Sequence, residues 1–354
     1  MIHIKFDFDD MLIVPKVNTE IESRYKGIVL PDILPLFTAP MDTVVNYDNK
    51  DEFLKNGIRV VLPRTVSLDS FQAQEVLSGK TSDDGVFVSL GLEDMENLYR
   101  SNFKSFHKGA HILIDVANGH MQKIVDIARE LKRLRPDVIL MVGNIANPKT
   151  YTWYAKNKCV DYVRVGIGNG NGCLTTKQSG VGYPKASLIQ ETYFEKQTFI
   201  TKNPGVKVPA IVADGGMKDY SDIIKAFALG ADYVMIGSIF NKAFESCAEN
   251  HVFGIKVSKK TAEFAIRMKI RVKKYFRGMS TKGAQKAMGK TTFKTSEGVT
   301  RFREVEYSLQ GWVENFEHYL RNAMSYADAK TLEEFIGKAD ICLITKNAYD
   351  RFNK

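Results

Sequence analysis

The stretch Ile112–Val142, ILIDVANGHMQKIVDIARELKRLRPDVILMV, decides the fold class of this chain. It opens on an apolar run, Ile112–Val116, that reads as a buried strand. From Met121 to Leu134 the apolar residues Ile124, Val125, Ile127, Ala128, Leu131 and Leu134 fall on one stripe at helical spacing, and Pro136 stops the helix. A second apolar run follows at Val138–Val142. A strand, a helix and another strand in about thirty residues form the repeating unit of a parallel sheet. Further strand-like runs lie outward in both directions, at Leu36–Met41, Ile58–Leu62, Val86–Leu90, Tyr162–Gly166, Ile211–Ala213 and Tyr233–Ile236. With the first two they make eight, the number that closes a (β/α)8 barrel.

A doubly wound open sheet would place one dominant glycine-rich crevice after its first strand. Here the glycine-rich loops follow the sixth, seventh and eighth strands, so a TIM barrel is the better reading. Asp42, Arg64, Asp115, Asn144, Asp214 and Gly237 fall just past strand C-terminal ends, the face on which such barrels build their sites. The whole chain, 1–354, reads as one barrel domain with no inserted regulatory domain. A polar, basic stretch with weak apolar periodicity, about 255–305, suits a mobile flap, and helical patterns resume in a tail over 306–354.

Composition narrows the class. A chain of 354 residues can bury a large core, and no apolar run approaches the roughly 20 residues that span a bilayer. The N-terminus carries acids early and has no signal-peptide core. The four cysteines, at 159, 173, 247 and 342, are widely spaced, which argues against a disulfide framework or a zinc site and fits a reducing cytosol. The formal net charge is +9, and thirteen Lys or Arg stand against one acid, Glu263, between Lys256 and Lys294. That segment lacks the interleaved aromatics of a single-strand binder, and a phosphorylated nucleotide accounts for basic character equally well.

The chemistry concentrates in Val165–Pro184, VGIGNGNGCLTTKQSGVGYP. Glycines at 166, 168, 170 and 172 allow tight bends and a close approach to a ligand or ion, and the loop presents one thiol, Cys173. Such a loop has few side chains to bury a cysteine against. The functional reading is a nucleophile with hydroxyls at Thr175 and Thr176 beside it; the alternative is a structural cysteine on a flexible turn. Asp214-Gly215-Gly216 after strand seven and Gly237-Ser238 after strand eight sit where barrels commonly hold phosphate. Their backbone N–H groups and the Ser238 hydroxyl suit an anion, and the Asp214 carboxylate suits a ribose diol. Two ordinary tight turns would look the same. A third glycine site at Gly278-Met279-Ser280 tips the balance towards a nucleotide.

These residues resemble the IMP dehydrogenase/GMP reductase family over nearly the whole chain. The matching pieces are FDFDDMLIVPK (6–16), APMDTV (39–44), DVANGH (115–120), the Cys173 loop ending in GVGYP, ADGG (213–216), YVMIGS (233–238), RGMS (277–280) and SEGV (296–299). The resemblance implies a TIM barrel, usually a homotetramer in the cytoplasm, that binds a purine nucleoside 5′-monophosphate and a nicotinamide cofactor. It implies Cys173 as the nucleophile on purine C2, with Thr175 and Glu297 moving protons. It implies nucleotide contacts from Asp214, Gly215, Gly216, Gly237, Ser238, Gly278, Met279, Ser280, Lys294, Ser296 and Gly298. Ser23, Arg24, Arg64, Asp115, Val116, Ala117, Ile167 and Gly168 correspond to cofactor-side positions, with Arg24 and Arg64 suited to a 2′-phosphate. Gly168, Gly170, Cys173 and Thr176 correspond to a monovalent cation site, expected to hold K⁺.

Within that family the dehydrogenases activate water with an Arg-Tyr pair on the lid. Residues 280–296 here read STKGAQKAMGKTTFKTS, with neither Arg nor Tyr. A reductase needs no such pair, so the resemblance is nearest to GMP reductase: reductive deamination of GMP to IMP and ammonia with NADPH, or NADH. The departures are Leu174, Thr176, Lys294, a shorter lid, and the dehydrogenase-like Ser238 and MSYADAKTLEEF (324–335). They leave open a deoxynucleotide or another 2-amino purine as substrate. IMP dehydrogenase and a silent purine-nucleotide-binding protein are the competing readings.

Overall fold

In the computed structural model of the chain, described here over residues 4–65, 86–101, 103, 109–170, 172–289, 291–292 and 298–352, the strand–helix–strand unit folds as its pattern dictates. Strands β1 (Met11–Ile13), β2 (Leu36–Thr38), β3 (Val60–Leu62), β4 (Val86–Leu90), β5 (His111–Asp115), β6 (Ile139–Ile145), β7 (Tyr162–Val165), β8 (Ala210–Asp214) and β9 (Tyr233–Ile236) are followed by five more among the described residues. The helix between β5 and β6, Gln122–Leu134, buries Ile124, Val125, Ile127, Ala128 and Leu131 against the sheet. Strands β2 to β9 form one parallel eight-stranded sheet in the order β2-β9-β8-β7-β6-β5-β4-β3. The two ends meet: Thr38 N donates to Arg59 O at 2.9 Å and Arg59 N to Leu36 O at 3.0 Å, which closes the barrel. All eight expected strands are barrel strands, and the fold is a TIM barrel.

Residues alternate between two cores, as a strand buried on both faces requires. Phe37, Val61, Phe87, Leu113, Met141, Val212 and Met235 fill the barrel interior. Tyr162 and Tyr233 join them there, with the Phe37 and Phe87 rings edge-on at 5.6 Å. The opposite faces pack under the helices, where Trp312, Phe316, Leu320 and Met324 of the long C-terminal helix Leu309–Tyr326 are buried. This interior plug leaves the polar ends of the strands to form the mouth.

Three features lie outside the barrel. Strand β1 pairs antiparallel with β14 (Ile341–Leu343), tying the two ends of the chain together. Strands β10 (Asn250–Val252), β11 (Ile255–Val257), β12 (Lys273–Arg277) and β13 (Thr300–Glu304) make an antiparallel sheet in the order β11-β10-β12-β13. The helix Lys259–Arg267 covers it, enclosing a small core around Ala262, Ala265 and Val272. The described part of the stretch expected as a flap, 255–305, is therefore largely sheet and helix. Its periodicity is weak because lysines and arginines occupy so many strand positions; Lys274, for example, is buried within β12. Among the described residues, no helix is long and apolar enough to cross a membrane.

Candidate functional site

The mouth of the barrel is organised by a charge that the sequence reading did not single out. Val163 and Val165 of β7 face the helices, so Arg164 between them faces inward, into the top of the barrel. Its guanidinium is buried and bridges two carboxylates, at the ends of β5 and β8. Nη1 is 2.7 Å from Asp115 Oδ1, while Nη2 and Nε lie 2.7 and 3.2 Å from Asp214 Oδ2. Asn144 Nδ2 adds a bond of 2.6 Å to the same Asp214 oxygen and another of 2.7 Å to Gly166 O. Arg64 extends the chain of charges, with Nε 2.9 Å from Asp115 Oδ2. Burial would push the Asp214 carboxyl up, but Arg164 and Lys185, with the Asn144 bond, outweigh it and hold the carboxyl below its ordinary value. Burial likewise works against the charge on Arg164, yet Asp214 and Asp115 keep it firmly protonated.

The thiol loop leaves β7 directly above this pair. Gly168 takes φ +80°, and a Cβ there would collide with the Thr176 side chain. Thr176 Oγ1 donates to Val181 O at 2.8 Å, folding the end of the loop back on itself. Cys173 N donates to Gly170 O at 2.9 Å, and Cys173 Sγ lies 3.1 Å from Thr175 Oγ1 at the start of the short helix Thr175–Ser179. Ile167 continues the loop from Gly166, partly buried.

The outer sheet reaches this loop. Cys173 and Gly298 are antiparallel bridge partners, Val299 N donates to Gly172 O at 3.2 Å, and Gly278 N donates to Val299 O at 3.0 Å. The Thr281 hydroxyl donates to Gly278 O at 2.8 Å, and Gln285 Nε2 to Ser280 O at 3.1 Å. Met279 lies between those anchors. Below, Arg277 Nε donates to Asp42 Oδ1 at 3.1 Å, fastening β12 to the loop after β2.

One cleft of about 450 Å³ gathers Gly170, Gly172, Asp214, Gly215, Gly216, Gly237 and Ser238, with Met41, Met217 and Phe276 on its apolar side. The cleft opens to solvent, and its lining offers backbone N–H groups, one hydroxyl and one carboxylate. Asp115 and Arg64 are joined to it through Arg164. Val116 prolongs the β5–β6 ladder, with N donating to Gly143 O at 2.9 Å, and Ala117 next to it is exposed.

Two cofactor-side positions have other partners. Arg24 Nη1 donates to Asn322 Oδ1 at 3.2 Å on the helix Leu309–Tyr326, and Ser23 Oγ accepts from Tyr25 N at 3.3 Å. Neither enters the contacts that join Arg64 to Asp115. Lys294, Ser296 and Glu297 lie outside the described residues. Besides Arg164, the sequence reading passed over Lys185, whose ammonium is buried behind the loop. An arginine inside the apolar strand YVRV was the available signal for the first; nothing in the sequence marked the second.

An eight-stranded barrel with a thiol loop, glycine turns and a buried carboxylate at its C-terminal mouth defines a TIM-barrel enzyme. Comparison with known proteins makes the class specific. Residues 5–351 match the IMP dehydrogenase / GMP reductase domain, and the chain belongs to that family of oxidoreductases of purine metabolism. The chain is 25% identical to a GMP reductase of Caenorhabditis elegans, an alignment covering 98% of this chain and 94% of that one. It is 26% identical to a GMP reductase of Staphylococcus carnosus, with 98% of each covered. A GMP reductase of Buchnera aphidicola is 28% identical, over 99% of this chain and 97% of that one.

Proposed function

We propose that this chain is a GMP reductase, converting GMP to IMP and ammonia at the expense of NADPH. The observation that carries the reading is the Cys173 thiol, 3.1 Å from the Thr175 hydroxyl and beside the Gly170–Gly172 wall of the glycine-lined cleft. Full-length likeness to proteins named GMP reductase supports it.

In this reading the phosphate lies at the Gly216 and Gly237-Ser238 turns, with Gly278, Met279 and Ser280 completing the nucleotide side. Asp214 accepts from the ribose. Cys173 sulfur adds to purine C2, its proton passing to the Thr175–Glu297 pair. The same pair returns a proton to the 2-amino nitrogen, which departs as ammonia with the C–N electron pair and leaves a thioimidate on Cys173. The nicotinamide, when bound, supplies the hydrogen and electron pair that replace sulfur at C2. Cys173 leaves as thiolate and IMP is released. The protein needs no group to ready water, consistent with a lid that carries neither Arg nor Tyr.

The residues fit both accessory groups. Arg64 has a partly exposed side chain anchored to Asp115 at 2.9 Å, so its guanidinium is held ready for an anionic group such as a 2′-phosphate. Asp115, Val116, Ala117, Ile167 and Gly168 border the same strand ends. Backbone oxygens of Gly168, Gly170 and Cys173, with Thr176, would hold K⁺; they are hard donors suited to such an ion, on a turn whose Gly168 leaves no room for a Cβ. The homotetramer implied by the family belongs to this reading as well.

The test is turnover of GMP with NADPH, products identified by mass. IMP and ammonia, abolished in Cys173→Ala, are expected. Formation of XMP and reduced nicotinamide from IMP and NAD⁺ as the faster reaction would select the dehydrogenase instead.

A further inference from the structure

Lys185 opens the helix Lys185–Lys202, yet it is 2% exposed. Its Nζ donates to Val165 O at 2.9 Å and also to Asp214 O. Val165 is the last residue of β7, at the root of the Cys173 loop, and Asp214 is the last of β8, at the root of the Gly215–Gly216 turn. The β7–β8 ladder ends at the pair Val165–Ala213, so the ammonium joins the strands just where backbone pairing stops. Gly166 makes room for it: at φ +139° a Cβ would stand 2.8 Å from Asp214 O and overlap the ammonium. The backbone N of Lys185 donates to Asp7 Oδ2 at 3.1 Å, anchoring the helix start to the N-terminal segment.

We propose that Lys185 is a positioning residue, whose ammonium fixes the Cys173 loop against the 214–216 turn and so sets the approach of sulfur to the bound nucleotide. The proposal rests on the reading of the site given above. Because the bridge sits beyond the last β7–β8 pair, what it fixes is the root of one loop against the root of the other. Several charges face the ammonium. Burial pushes it down to about 8, Asp214 and Asp7 favour its charge, and Arg164 opposes it. Asp9, Lys218 and Asp222 line the cavity of about 540 Å³ on its other side. Above that pH the bridge loses its charge-assisted character and holds the two roots less firmly.

The experiment compares the wild type with Lys185→Met, which removes every donor, and Lys185→Gln, which keeps an uncharged amide. GMP affinity is read by calorimetry and Cys173 alkylation by peptide mass, neither of which needs turnover. Lys185→Met is expected to bind GMP about tenfold more weakly and to alter the Cys173 alkylation rate, because two carbonyls lose their donor, whereas Lys185→Gln stays within about threefold. Wild-type affinity is expected to weaken between about pH 7 and about pH 9, and Lys185→Gln to lack that decline. A folded Lys185→Met with wild-type affinity and alkylation overturns the proposal. Should that variant fail to fold, identical pH profiles in the wild type and Lys185→Gln overturn it. If the wild type binds no GMP, the reductase reading falls by itself; an unchanged Cys173 alkylation rate in Lys185→Met then removes the positioning role too.

Discussion

Cys173 and Gly298 face each other as antiparallel backbone partners, so the thiol loop and the returning outer strand meet as two edges of one small ladder. That ladder extends through Gly172, Val299 and Gly278. The outer sheet is thereby coupled to the position of the sulfur by backbone hydrogen bonds, with no side chain as intermediary.

Gly278 is where this coupling is most exposed to disruption. A Cβ there would overlap Gly172 O and come within 3.3 Å of the Gly298 Cα, all of it backbone that cannot rotate away. Gly278→Ala should therefore push the outer segment off the loop by a fraction of an ångström to an ångström. Displacement on that scale costs about 100-fold in turnover. Steady-state kinetics on a variant with an unchanged melting curve checks this, and activity within a few-fold of the wild type would show that the two edges move independently.

Thr175→Val tests the hydroxyl 3.1 Å from the sulfur. The two side chains are nearly isosteric and the site is only partly buried, so stability should change by less than about 0.5 kcal/mol. Loss of a proton-transfer partner should lower turnover by about 100-fold or more. In a rapid-mixing experiment, ammonia release should slow more than the second half of the cycle. Equal slowing of both would assign the hydroxyl a purely steric part.

Arg164 shows how one buried charge serves two others. With it replaced by Met, Asp115 and Asp214 would remain mostly buried without their shared counter-ion, a loss of up to about 3 kcal/mol at neutral pH, since Arg64 and Lys185 stay beside them. The pH dependence follows from the direction of the Asp214 shift. A carboxyl held below its ordinary value in the folded state contributes stability that is present above about pH 4 and lost as the pH falls through the folded value. Without Arg164 that depression is relieved and the carboxyl moves upward. Acid unfolding followed by circular dichroism should begin at a higher pH in Arg164→Met than in the wild type; coincident acid transitions would mean that Asn144 and Lys185 suffice.

The eight barrel strands were legible because each is an apolar run bounded by polar or glycine-rich turns, and burial on both faces leaves no other reading. The turns Asp214–Gly216 and Gly237–Ser238 were legible for a related reason, since their place after a strand already assigns them to the mouth. Arg164 and Lys185 were not, because what matters in them is which carboxylate or carbonyl they meet, and those partners lie 20 to 50 residues away in sequence. The β10–β13 sheet escaped for yet another cause. Its inward positions include Lys274, whose stem packs while its ammonium is satisfied by carbonyls, so hydrophobic alternation is absent from the strand that carries it. Ser23 and Arg24 were assigned by likeness alone; here Ser23 Oγ accepts from Tyr25 N two residues on, and Arg24 donates to Asn322 on the helix Leu309–Tyr326.

Lys274 itself gives a prediction with a definite sign. It is 1% exposed, and its Nζ donates to Phe244 O at 3.0 Å, Ser246 O at 2.7 Å and Ala248 O at 3.4 Å, closing the base of the outer sheet. Burial pushes the ammonium down to about 8, below the value it has in an unfolded chain. Between that value and about pH 10 the unfolded state binds more protons than the folded one, so this lysine adds stability as the pH rises through that window. Lys274→Met would leave three carbonyls without their donor and be less stable throughout. The gap between wild type and variant should widen, by at most about 1.4 kcal/mol per pH unit, between about pH 8 and about pH 10. Taking the difference between the two proteins removes the opposing effect of the buried Cys159 thiol, which burial raises to about 11 and which therefore loses stability as the pH climbs; the Cys247 thiol, also raised by burial, feels Lys274 and does not cancel. Urea titrations at several pH values decide the matter. A gap that stays constant or narrows would show that Lys274 keeps its proton in the folded protein, and that its three carbonyls, rather than burial, govern its charge.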